Sequence, residues 1–350
     1  MSFKSDLIKR VLSINNADAF LIVSDTNRFW LAEFESSFGF VLATQSKIYL
    51  LLDKRYYQKA IDTISNEDIE IICFSSKNQI IELLKSNNVN KLLVEKEYFL
   101  FDDYLFLKDS IKSIVSFPSD MLRIQKTELE IEYLQKACDI VCETMNWIQT
   151  QQLIGKTEIE VANMFTSHML ELGATKNSFD PIVASGKNGA YPHHKPTNKK
   201  IENNEFLTID AGCIYKGYCS DLTRTFPIGT PDERLIRAYK TVYESNTKGI
   251  LEAKYKMLGQ DVDKICRDVI SNTEFKDYFV HSTGHGVGIN VHELPNTSPS
   301  YAKPLEQNSV CTIEPGIYIP NLGGIRIEDM VLVKKDKTIC MTNLAKKWVF

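Results

Sequence analysis

The chain has 350 residues, of which 43% are hydrophobic and 25% are charged, an ordinary composition for a globular protein long enough to form two domains. Its net charge of −4 argues against nucleic acid or an anionic membrane as the main partner. The sequence has no apolar run of the roughly 18 residues that a membrane span needs. Its first residues also lack the apolar core of a signal peptide. We therefore expect neither a membrane anchor nor a secretion signal.

The eight cysteines are scattered along the chain, and none of them forms a Cys-x-x-Cys pair. Cys138 and Cys142 are one helical turn apart, a spacing more simply explained by the packed face of a helix than by a redox motif. A chain that uses cysteine in this way is typical of a reducing compartment. We therefore expect a cytoplasmic location.

The first part of the chain alternates short apolar stretches with helical ones, which predicts a small α/β domain over residues 1–120. A linker is expected at residues 117–120, where a proline and two polar residues follow an apolar stretch. The predicted strands are residues 19–24, 38–44, 47–52, 69–74 and 91–94. The predicted helices are residues 3–13, 56–64, 80–85 and 101–111.

Residues 121–350 form the second predicted domain, an α+β domain with an internal repeat. An amphipathic helix is predicted over 126–149, followed by a helix over 158–172 for which Thr157 is a suitable N-cap. A hairpin follows, then helices over 232–252 and 262–271, a histidine-rich segment over 281–292 and a second hairpin. Two helices followed by an acid-bearing hairpin therefore occur twice. This order predicts a pseudo-twofold repeat with the functional site at its seam.

Each of the two predicted hairpins carries a pair of carboxylates. Asp210 and Asp221 bracket one turn at residues 216–217, and Glu314 and Glu328 bracket another at residues 320–324. Folding each hairpin at its turn places its two acids opposite one another, with Cβ atoms about 5 Å apart. A single acid on a strand is usually a solvated edge charge. Four at matched positions instead predict two divalent cations between them, as in a dinuclear metallohydrolase.

The alternation of residues along the strands supports a common face for these acids. With a period of two, the polar side chains beside the acids share their face, and the aliphatic neighbours point into a hydrophobic layer. The polar neighbours are Thr208, Thr312 and Arg326, and the aliphatic ones are Leu207, Ile209, Ile325 and Ile327.

Five of the six histidines lie in two short stretches, one with His193 and His194 and the other with His281, His285 and His292. His285 is the candidate ligand because glycines on both sides let its backbone approach a metal closely. His281 and His292 are then candidates for supporting groups or for donors to a reacting carbonyl. A polar residue near the surface is the ordinary alternative for any one of them. A nucleotide loop at 284–288 is disfavoured, since it lacks the Lys-Ser/Thr of a P-loop and a strand-like stretch over 289–292 follows it.

From residue 122 onwards the chain resembles the pita-bread metallopeptidases, the group that includes methionine aminopeptidase, prolidase and aminopeptidase P. The matching stretches are residues 182–186, 190–193, 210–212, 220–225, 281–293, 312–316 and 324–329. The first domain, with Asp53-Lys54-Arg55-Tyr56 after a strand, is similar to the N-terminal domain of the Xaa-Pro branch of this group. Methionine aminopeptidases usually lack such a domain.

The resemblance implies two divalent metal ions, and the mostly oxygen ligand set favours Mn²⁺ while also tolerating Co²⁺, Fe²⁺ or Zn²⁺. It implies that Asp221 and Glu328 bridge both ions and that Glu314 also transfers protons. His292 and His281 would stabilise an oxyanion, and His193 and Arg326 would handle substrate. The implied metal ligands are Asp210, Asp221, His285, Glu314 and Glu328.

The activity implied by the resemblance is hydrolysis of an Xaa-Pro peptide bond by a homodimer, with release of the N-terminal residue that precedes proline. An Xaa-Pro dipeptidase is the alternative. Some prolidases carry an arginine shortly after the His-Glu pair, and here Asn296 stands at that position, although Arg326 could serve. A methionine aminopeptidase, a non-catalytic relative and a metal-free creatinase-like enzyme are more distant alternatives, because the extra domain and the complete acidic set disfavour them.

Overall fold

A computed structural model gives the fold, and it describes residues 3–345 of the chain. The chain divides into two compact units, Met1–Arg123 and Ile124–Phe350. Within the described residues, no helix is both long and apolar enough to cross a membrane.

The N-terminal unit is built around a six-stranded mixed sheet of order β4-β3-β2-β1-β5-β6. Strands β1, β2 and β3 are antiparallel neighbours, and the outer strands add in parallel. Its elements are α1 (Phe3–Ile14), β1 (Ala19–Ile22), α2 (Asp25–Ala32), β2 (Phe40–Thr44), β3 (Ile48–Leu52), α3 (Lys54–Thr63), β4 (Ile69–Cys73), α4 (Asn78–Ser86), β5 (Lys91–Glu95), α5 (Phe101–Leu107) and β6 (Ser113–Phe117), followed by a 3₁₀ turn over Ser119–Arg123.

All the strands and helices predicted for this unit are present, although several end earlier or later than predicted. Two further elements were not predicted, helix α2 and strand β6. Helix α2 escapes the apolar pattern because it is short and its buried side is mixed. Asn27 donates to Glu95 and Arg28 donates to the Gly39 carbonyl, and both are buried beside Trp30, Leu31 and Ala32. Strand β1 ends before the predicted residue 24 because Ser24 is the N-cap of α2.

The C-terminal unit repeats the order of two helices followed by strands. Its first half contains α6 (Glu128–Gln149), α7 (Glu158–Glu171), β7 (Lys176–Asn177), β8 (Ile182–Ser185), β9 (Glu205–Ala211), β10 (Cys213–Tyr215), β11 (Tyr218–Cys219) and β12 (Leu222–Ile228). Its second half contains α8 (Glu233–Glu252), α9 (Gly259–Ser271), β13 (Gly284–Gly286), β14 (Glu293–Thr297), β15 (Ser309–Ile313), β16 (Gly316–Ile319), β17 (Gly323–Arg326), β18 (Asp329–Val333) and β19 (Thr338–Cys340). This order confirms the predicted α+β repeat.

The strands of each half pack against their own pair of helices. In the first half, β8, β9 and β12 form a sheet whose apolar face packs with α6 and α7 around buried Leu207 and Ile209. In the second half, the five-stranded sheet of order β14-β13-β15-β18-β19 and the β16–β17 hairpin bury Ile325 and Ile327, among others. The four aliphatic side chains predicted to face a hydrophobic layer therefore do so.

Both helices of the first half begin with a capping box. The Thr127 and Thr157 side chains accept from the N–H groups of Glu130 and Glu160, whose carboxylates accept in return from the threonine N–H groups. Two N–H groups that the helix itself leaves unpaired are thereby satisfied at each start. The predicted N-cap at Thr157 is confirmed, and α6 starts two residues later than predicted because Thr127 caps it.

The registers of the two acid-bearing hairpins differ from one another. In the first, Asp210 pairs with Thr223 and Ala211 pairs with Leu222, so Asp221 lies on the same face as Asp210 but diagonal to it. The prediction that these two acids are directly opposite was wrong by two positions. In the second hairpin, the pairs on either side place Glu314 opposite Glu328, as predicted. The prediction of a strand-like stretch over 289–292 was also wrong, since strand β14 begins only at Glu293.

Candidate active site

One cavity of about 690 Å³ in the C-terminal unit collects every side chain that the sequence predicted for the site. The predicted acids, His285 and Arg326 come to it from β9, β13, β17 and the segments that follow β11, β15 and β17, so residues far apart in sequence meet there. The predicted site residues that line it are His193, Asp210, Asp221, His281, His285, His292, Glu314, Arg326 and Glu328.

Asp210 projects from β9 and is held by Arg326 of β17. The Arg326 Nη2 group donates to Asp210 Oδ2 at 2.7 Å. The other oxygen, Oδ1, is buried and has no hydrogen-bond partner. A buried carboxylate oxygen without a partner is costly in a folded protein, and a cation in the cavity would satisfy it.

The unprotonated ring nitrogen of His285, Nε2, faces two carboxylates. Its Nδ1 donates to the Gly286 carbonyl at 3.1 Å, since a carbonyl can only accept. Burial lowers the pKa of His285 to about 4, so the ring is neutral and Nε2 is an acceptor. Nε2 lies 3.6 Å from Asp221 Oδ2 and 3.3 Å from Glu314 Oε1. Acceptors that converge in this way fit a metal ion between them.

Three of the predicted ligands form the tightest group. Asp221, His285 and Glu328 each offer an atom within 4.8 Å of the others. Burial, with added repulsion from neighbouring carboxylates, raises the pKa values of Asp221 and Glu328 well above the ordinary range. Burial likewise raises the pKa of Glu314 to about 8. Crowded buried acids of this kind need positive charge if they are to be ionised at neutral pH.

Two threonines orient the carboxylates of the second hairpin. The Thr223 hydroxyl donates to Glu328 Oε2 at 2.8 Å. The Thr312 hydroxyl donates to Glu314 Oε1 at 3.1 Å and accepts from the His285 N–H at 3.0 Å. Thr312 was predicted to share the face of Glu314. Thr223 was missed, although its place two residues after Asp221 on the same strand was a usable signal.

A chain of hydrogen bonds links Arg326 to His281 through Tyr318. The Arg326 Nη1 group donates to the Tyr318 hydroxyl at 2.8 Å, and that hydroxyl lies 2.8 Å from His281 Nε2. His281 Nδ1 donates to the Ser282 carbonyl at 2.7 Å, so Nε2 accepts from Tyr318. Tyr318 was missed in the sequence, although it is four residues after Glu314 and on the same face.

The remaining histidines are placed differently from one another. The His292 ring lies 4.1 Å from the His285 ring, centroid to centroid, in an edge-to-face arrangement. His193 lines the cavity and is exposed. Its neighbour His194, which was not predicted as a site residue, approaches Glu158 with a separation of 2.8 Å.

A buried ion pair fixes the chain directly after His292. Lys126 Nζ lies 2.5 Å from Glu293 Oε1, and the side chains are only 2% and 0% exposed. No local pattern predicts this pair, because 167 positions separate its members.

Glycines on either side of His285 let strand β13 lie close to both of its neighbours. A Cβ atom at Gly284 would lie 2.2 Å from the Thr312 carbonyl oxygen, and one at Gly286 would lie 2.5 Å from the backbone of Leu294. Neither position can therefore carry a side chain without moving the backbone. The close approach seen here is to the neighbouring strands, and the prediction that these glycines let the backbone approach a metal stays a prediction.

The α+β repeat and the convergent buried carboxylates define a metal-dependent hydrolase. Comparison with known proteins gives the same class. The family model for "Metallopeptidase family M24" matches residues 132–335. The model for "Creatinase/Prolidase N-terminal domain" matches residues 6–124.

Curated relatives and solved structures extend over nearly the whole chain. A Mycoplasma genitalium protein named "Putative Xaa-Pro aminopeptidase" is 47% identical and covers 97% of this chain and 96% of its own length. The Xaa-Pro dipeptidase of Pyrococcus furiosus is 32% identical, with 96% of each chain covered. The structure of an Xaa-Pro dipeptidase from Bacillus anthracis has a TM-score of 0.94 at 32% identity and covers 99% of this chain and 98% of that one. The chain belongs to metallopeptidase family M24 and carries a creatinase/prolidase N-terminal domain.

Proposed function

We propose that this chain is a peptidase that hydrolyses the bond before proline and releases the N-terminal residue, an Xaa-Pro aminopeptidase. The observation that carries the proposal is the single cavity in which Asp210, Asp221, His285, Glu314 and Glu328 converge. The names of the relatives support the substrate class, since both the aminopeptidase and the dipeptidases act before proline.

The five convergent side chains would hold two divalent ions, with Asp221 and Glu328 shared between them. The unpartnered oxygen of Asp210 and the unprotonated Nε2 of His285 support this assignment. Four carboxylates and one imidazole favour Mn²⁺, although Co²⁺, Fe²⁺ and Zn²⁺ also accept such ligands. When bound, such ions would polarise the scissile carbonyl and lower the pKa of water, so that a hydroxide nucleophile is available at neutral pH.

The protein's own groups orient the substrate and move protons. Glu314 lies among the acids and would accept the proton of the attacking water and pass it towards the prolyl nitrogen. His292, beside His285, would donate to the oxygen that gains charge on the carbonyl. His193 would contact the substrate at the exposed side of the cavity. Both ring nitrogens of His281 already have protein partners, so it would act by holding Tyr318.

Proline gives the reaction its special requirement. Proline has no backbone N–H, and its ring fixes φ. A site that recognises an extended peptide through that N–H therefore cannot bind an Xaa-Pro bond in the same way. A cavity that binds the residue before proline beside the predicted metal ions does not need that hydrogen bond.

A dipeptidase is the second candidate function, favoured by one observation. The cavity is lined by Lys195, which makes no hydrogen bond or ion pair within residues 3–345 and offers a positive charge for a free carboxylate. The two functions differ in whether peptides longer than two residues are cleaved.

The test is hydrolysis of Ala-Pro beside Ala-Pro-Ala by protein stripped with a chelator and reloaded with Mn²⁺. Cleavage of the Ala-Pro bond in the tripeptide supports the aminopeptidase. Cleavage of the dipeptide alone would make the protein a dipeptidase. Failure to cleave either peptide, with metal bound, would exclude the Xaa-Pro substrate class.

Location and assembly are also proposals. Among the described residues no cysteine forms a disulfide, which supports a reducing, cytoplasmic compartment. A homodimer is proposed because the pita-bread peptidases that this chain resembles complete their sites across subunits.

A further inference from the structure

The cavity has two lining residues with permanently cationic side chains, and one of them is already engaged. Among the described residues, these are Lys195 and Arg326. Arg326 is buried and donates to Asp210, Tyr318 and Thr223 at 2.7, 2.8 and 3.1 Å. Its charge is therefore directed at the wall of the cavity, and it is not available to bind a carboxylate of the substrate.

Lys195 is the uncommitted cation of the cavity wall. Its side chain is exposed, and within the part of the chain that the structure describes it makes no hydrogen bond or ion pair. A solvated lysine on a surface is usual and by itself indicates nothing. Lys195 differs because it lines the candidate active site and lies on a segment whose backbone is held by hydrogen bonds.

The backbone around Lys195 is held on both sides by one buried carboxylate. Glu158, the first residue of α7, accepts from His194 Nε2 at 2.8 Å. The same oxygen accepts from the Thr197 N–H at 3.0 Å and from the Thr197 hydroxyl at 2.7 Å. The Glu158 side chain is 0% exposed. Residues 194 and 197 are thus tied to one point, and Pro196 between them restricts the chain further.

The other oxygen of Glu158 anchors the preceding turn. It accepts from the Ser185 N–H at 2.8 Å, from the Ser185 hydroxyl at 2.9 Å and from Asn188 Nδ2 at 3.0 Å. The segment that carries Lys195 is therefore an ordered part of the cavity wall. The lysine stem remains free to place its ammonium group on a bound ligand.

The charges that remain uncommitted on the cavity wall match the two ends of a short peptide. Apart from the predicted ligands and Arg326, the acids and bases that line it include exposed Asp180 and Lys195, neither of which has a side-chain partner among the described residues. An Xaa-Pro dipeptide is a zwitterion of a size that fits a cavity of about 690 Å³. Asn296, where some prolidases carry an arginine, supplies no charge.

We propose that Lys195 binds the free carboxylate of the prolyl residue, so that Xaa-Pro dipeptides are substrates of this chain. The proposal rests on the proposed peptidase function and adds Xaa-Pro dipeptides to its substrates. Longer peptides lack a carboxylate at this position. Lys195 therefore contributes to the binding of dipeptides and not to the binding of longer peptides.

The experiment compares Ala-Pro with Ala-Pro-amide, which differs in lacking the terminal charge. Both are assayed with wild-type protein and with Lys195→Gln, each reloaded with Mn²⁺. Lys195→Arg tests rescue by another cation. Lys200→Gln, at an exposed lysine that is not among the residues lining the cavity, is the matched control for the loss of one positive charge.

We expect Lys195→Gln to lower kcat/KM for Ala-Pro about fivefold or more, mainly by raising KM. The effect is of this size because the variant loses a charge-assisted hydrogen bond at a position accessible to solvent. The rate with Ala-Pro-amide should not change. Lys195→Arg should retain most of the activity, and Lys200→Gln all of it. Salt should raise KM for Ala-Pro in the wild type and not in Lys195→Gln. An equal loss with both peptides, or no loss with Ala-Pro, would overturn the role of Lys195.

Calorimetric binding of proline and prolinamide separates this proposal from the proposed function. If the Mn²⁺-loaded protein cleaves neither peptide, the Xaa-Pro activity fails, and binding alone decides the role of Lys195. Tighter binding of proline than of prolinamide in the wild type, with the difference lost in Lys195→Gln, supports a carboxylate site. Equal affinity of wild type and variant for proline refutes it.

Discussion

At the scale of single residues, the site is a set of hydrogen-bond acceptors directed at a common space. The neutral ring of His285, the unpartnered oxygen of Asp210 and the buried acids around them repel one another unless cations lie between them. Thr223, Thr312 and Arg326 hold these groups in place from behind. The consequence is that loss of one ligand should affect metal content before it affects the fold.

The first prediction concerns Asp221, which lies in the tightest group of predicted ligands. Asp221→Asn should abolish metal-dependent turnover, because an amide carries no charge to share between two ions. Metal content per chain, measured by atomic emission after dialysis, should fall with it. Asp277→Asn, at an exposed aspartate outside the cavity, is the matched control. Near-normal rates in Asp221→Asn would end the dinuclear interpretation.

The second prediction concerns His292. His292→Ala should lower kcat by about 10² or more while leaving the metal content intact, since loss of one donor to a developing oxyanion has an effect of that size. Steady-state kinetics and metal analysis on the same preparation provide the measurement. Loss of metal in this variant would instead make His292 a ligand.

At the scale of elements, the structure places each catalytic strand by contacts that are distant in sequence. Helix α6 contributes nothing to the cavity wall, yet Lys126, just before it, pairs with Glu293 at the start of β14. Glu158, at the start of α7, fixes the segment 185–197 in the same way. The helices of the first half thus determine where the loops around the cavity lie.

The third prediction tests the pair of Lys126 and Glu293. Lys126→Met should lower the free energy of unfolding by roughly 3–5 kcal/mol, because it removes the positive charge that lies beside the buried Glu293 carboxylate. The double variant Lys126→Met with Glu293→Gln should recover part of that loss. Urea denaturation of both single variants and the double variant gives the coupling energy. Strictly additive losses would show that the two groups do not stabilise one another.

The sequence predicted the strands that carry the acids, because the period of two and the turn residues at 216–217 and 320–324 are local signals. It also predicted His285, since its flanking glycines are visible in the chain. It did not predict helix α2, which is short and buries polar and apolar side chains together. It also did not predict the diagonal offset of Asp210 and Asp221, which depends on how β10 and β11 close the turn. Glu158 and Lys126 could not be found, because their partners are remote and no local pattern marks them.

At the scale of the whole molecule, the predicted ions would join the two halves of the C-terminal unit. The ligands come from both halves of the repeat, from the first acid-bearing hairpin and from β13 and the second hairpin. A cation bound among them would connect the halves directly. Without it, the crowded acids oppose the closure of the two halves on one another.

The fourth prediction concerns removal of metal. Chelation should lower the melting temperature, and Mn²⁺ should restore it, because an ion that binds only the folded state stabilises it by about 2.7 kcal/mol at a concentration of 100 Kd. Differential scanning calorimetry across a Mn²⁺ titration measures the shift. Asp221→Asn should show little response, and an unchanged melting temperature in the wild type would contradict the assignment of the site.

The fifth prediction concerns assembly. Size-exclusion chromatography with light scattering should give twice the mass of the chain. A monomer at micromolar concentration would refute the homodimer.

The close packing around His285 limits how the site can be redesigned. Because Gly284 and Gly286 each meet a neighbouring strand, no larger residue fits on either side of the predicted ligand His285 without moving the backbone. Attempts to change the metal preference of this scaffold should therefore replace the imidazole itself, for example with a carboxylate or a thiolate, and leave the glycines on both sides untouched.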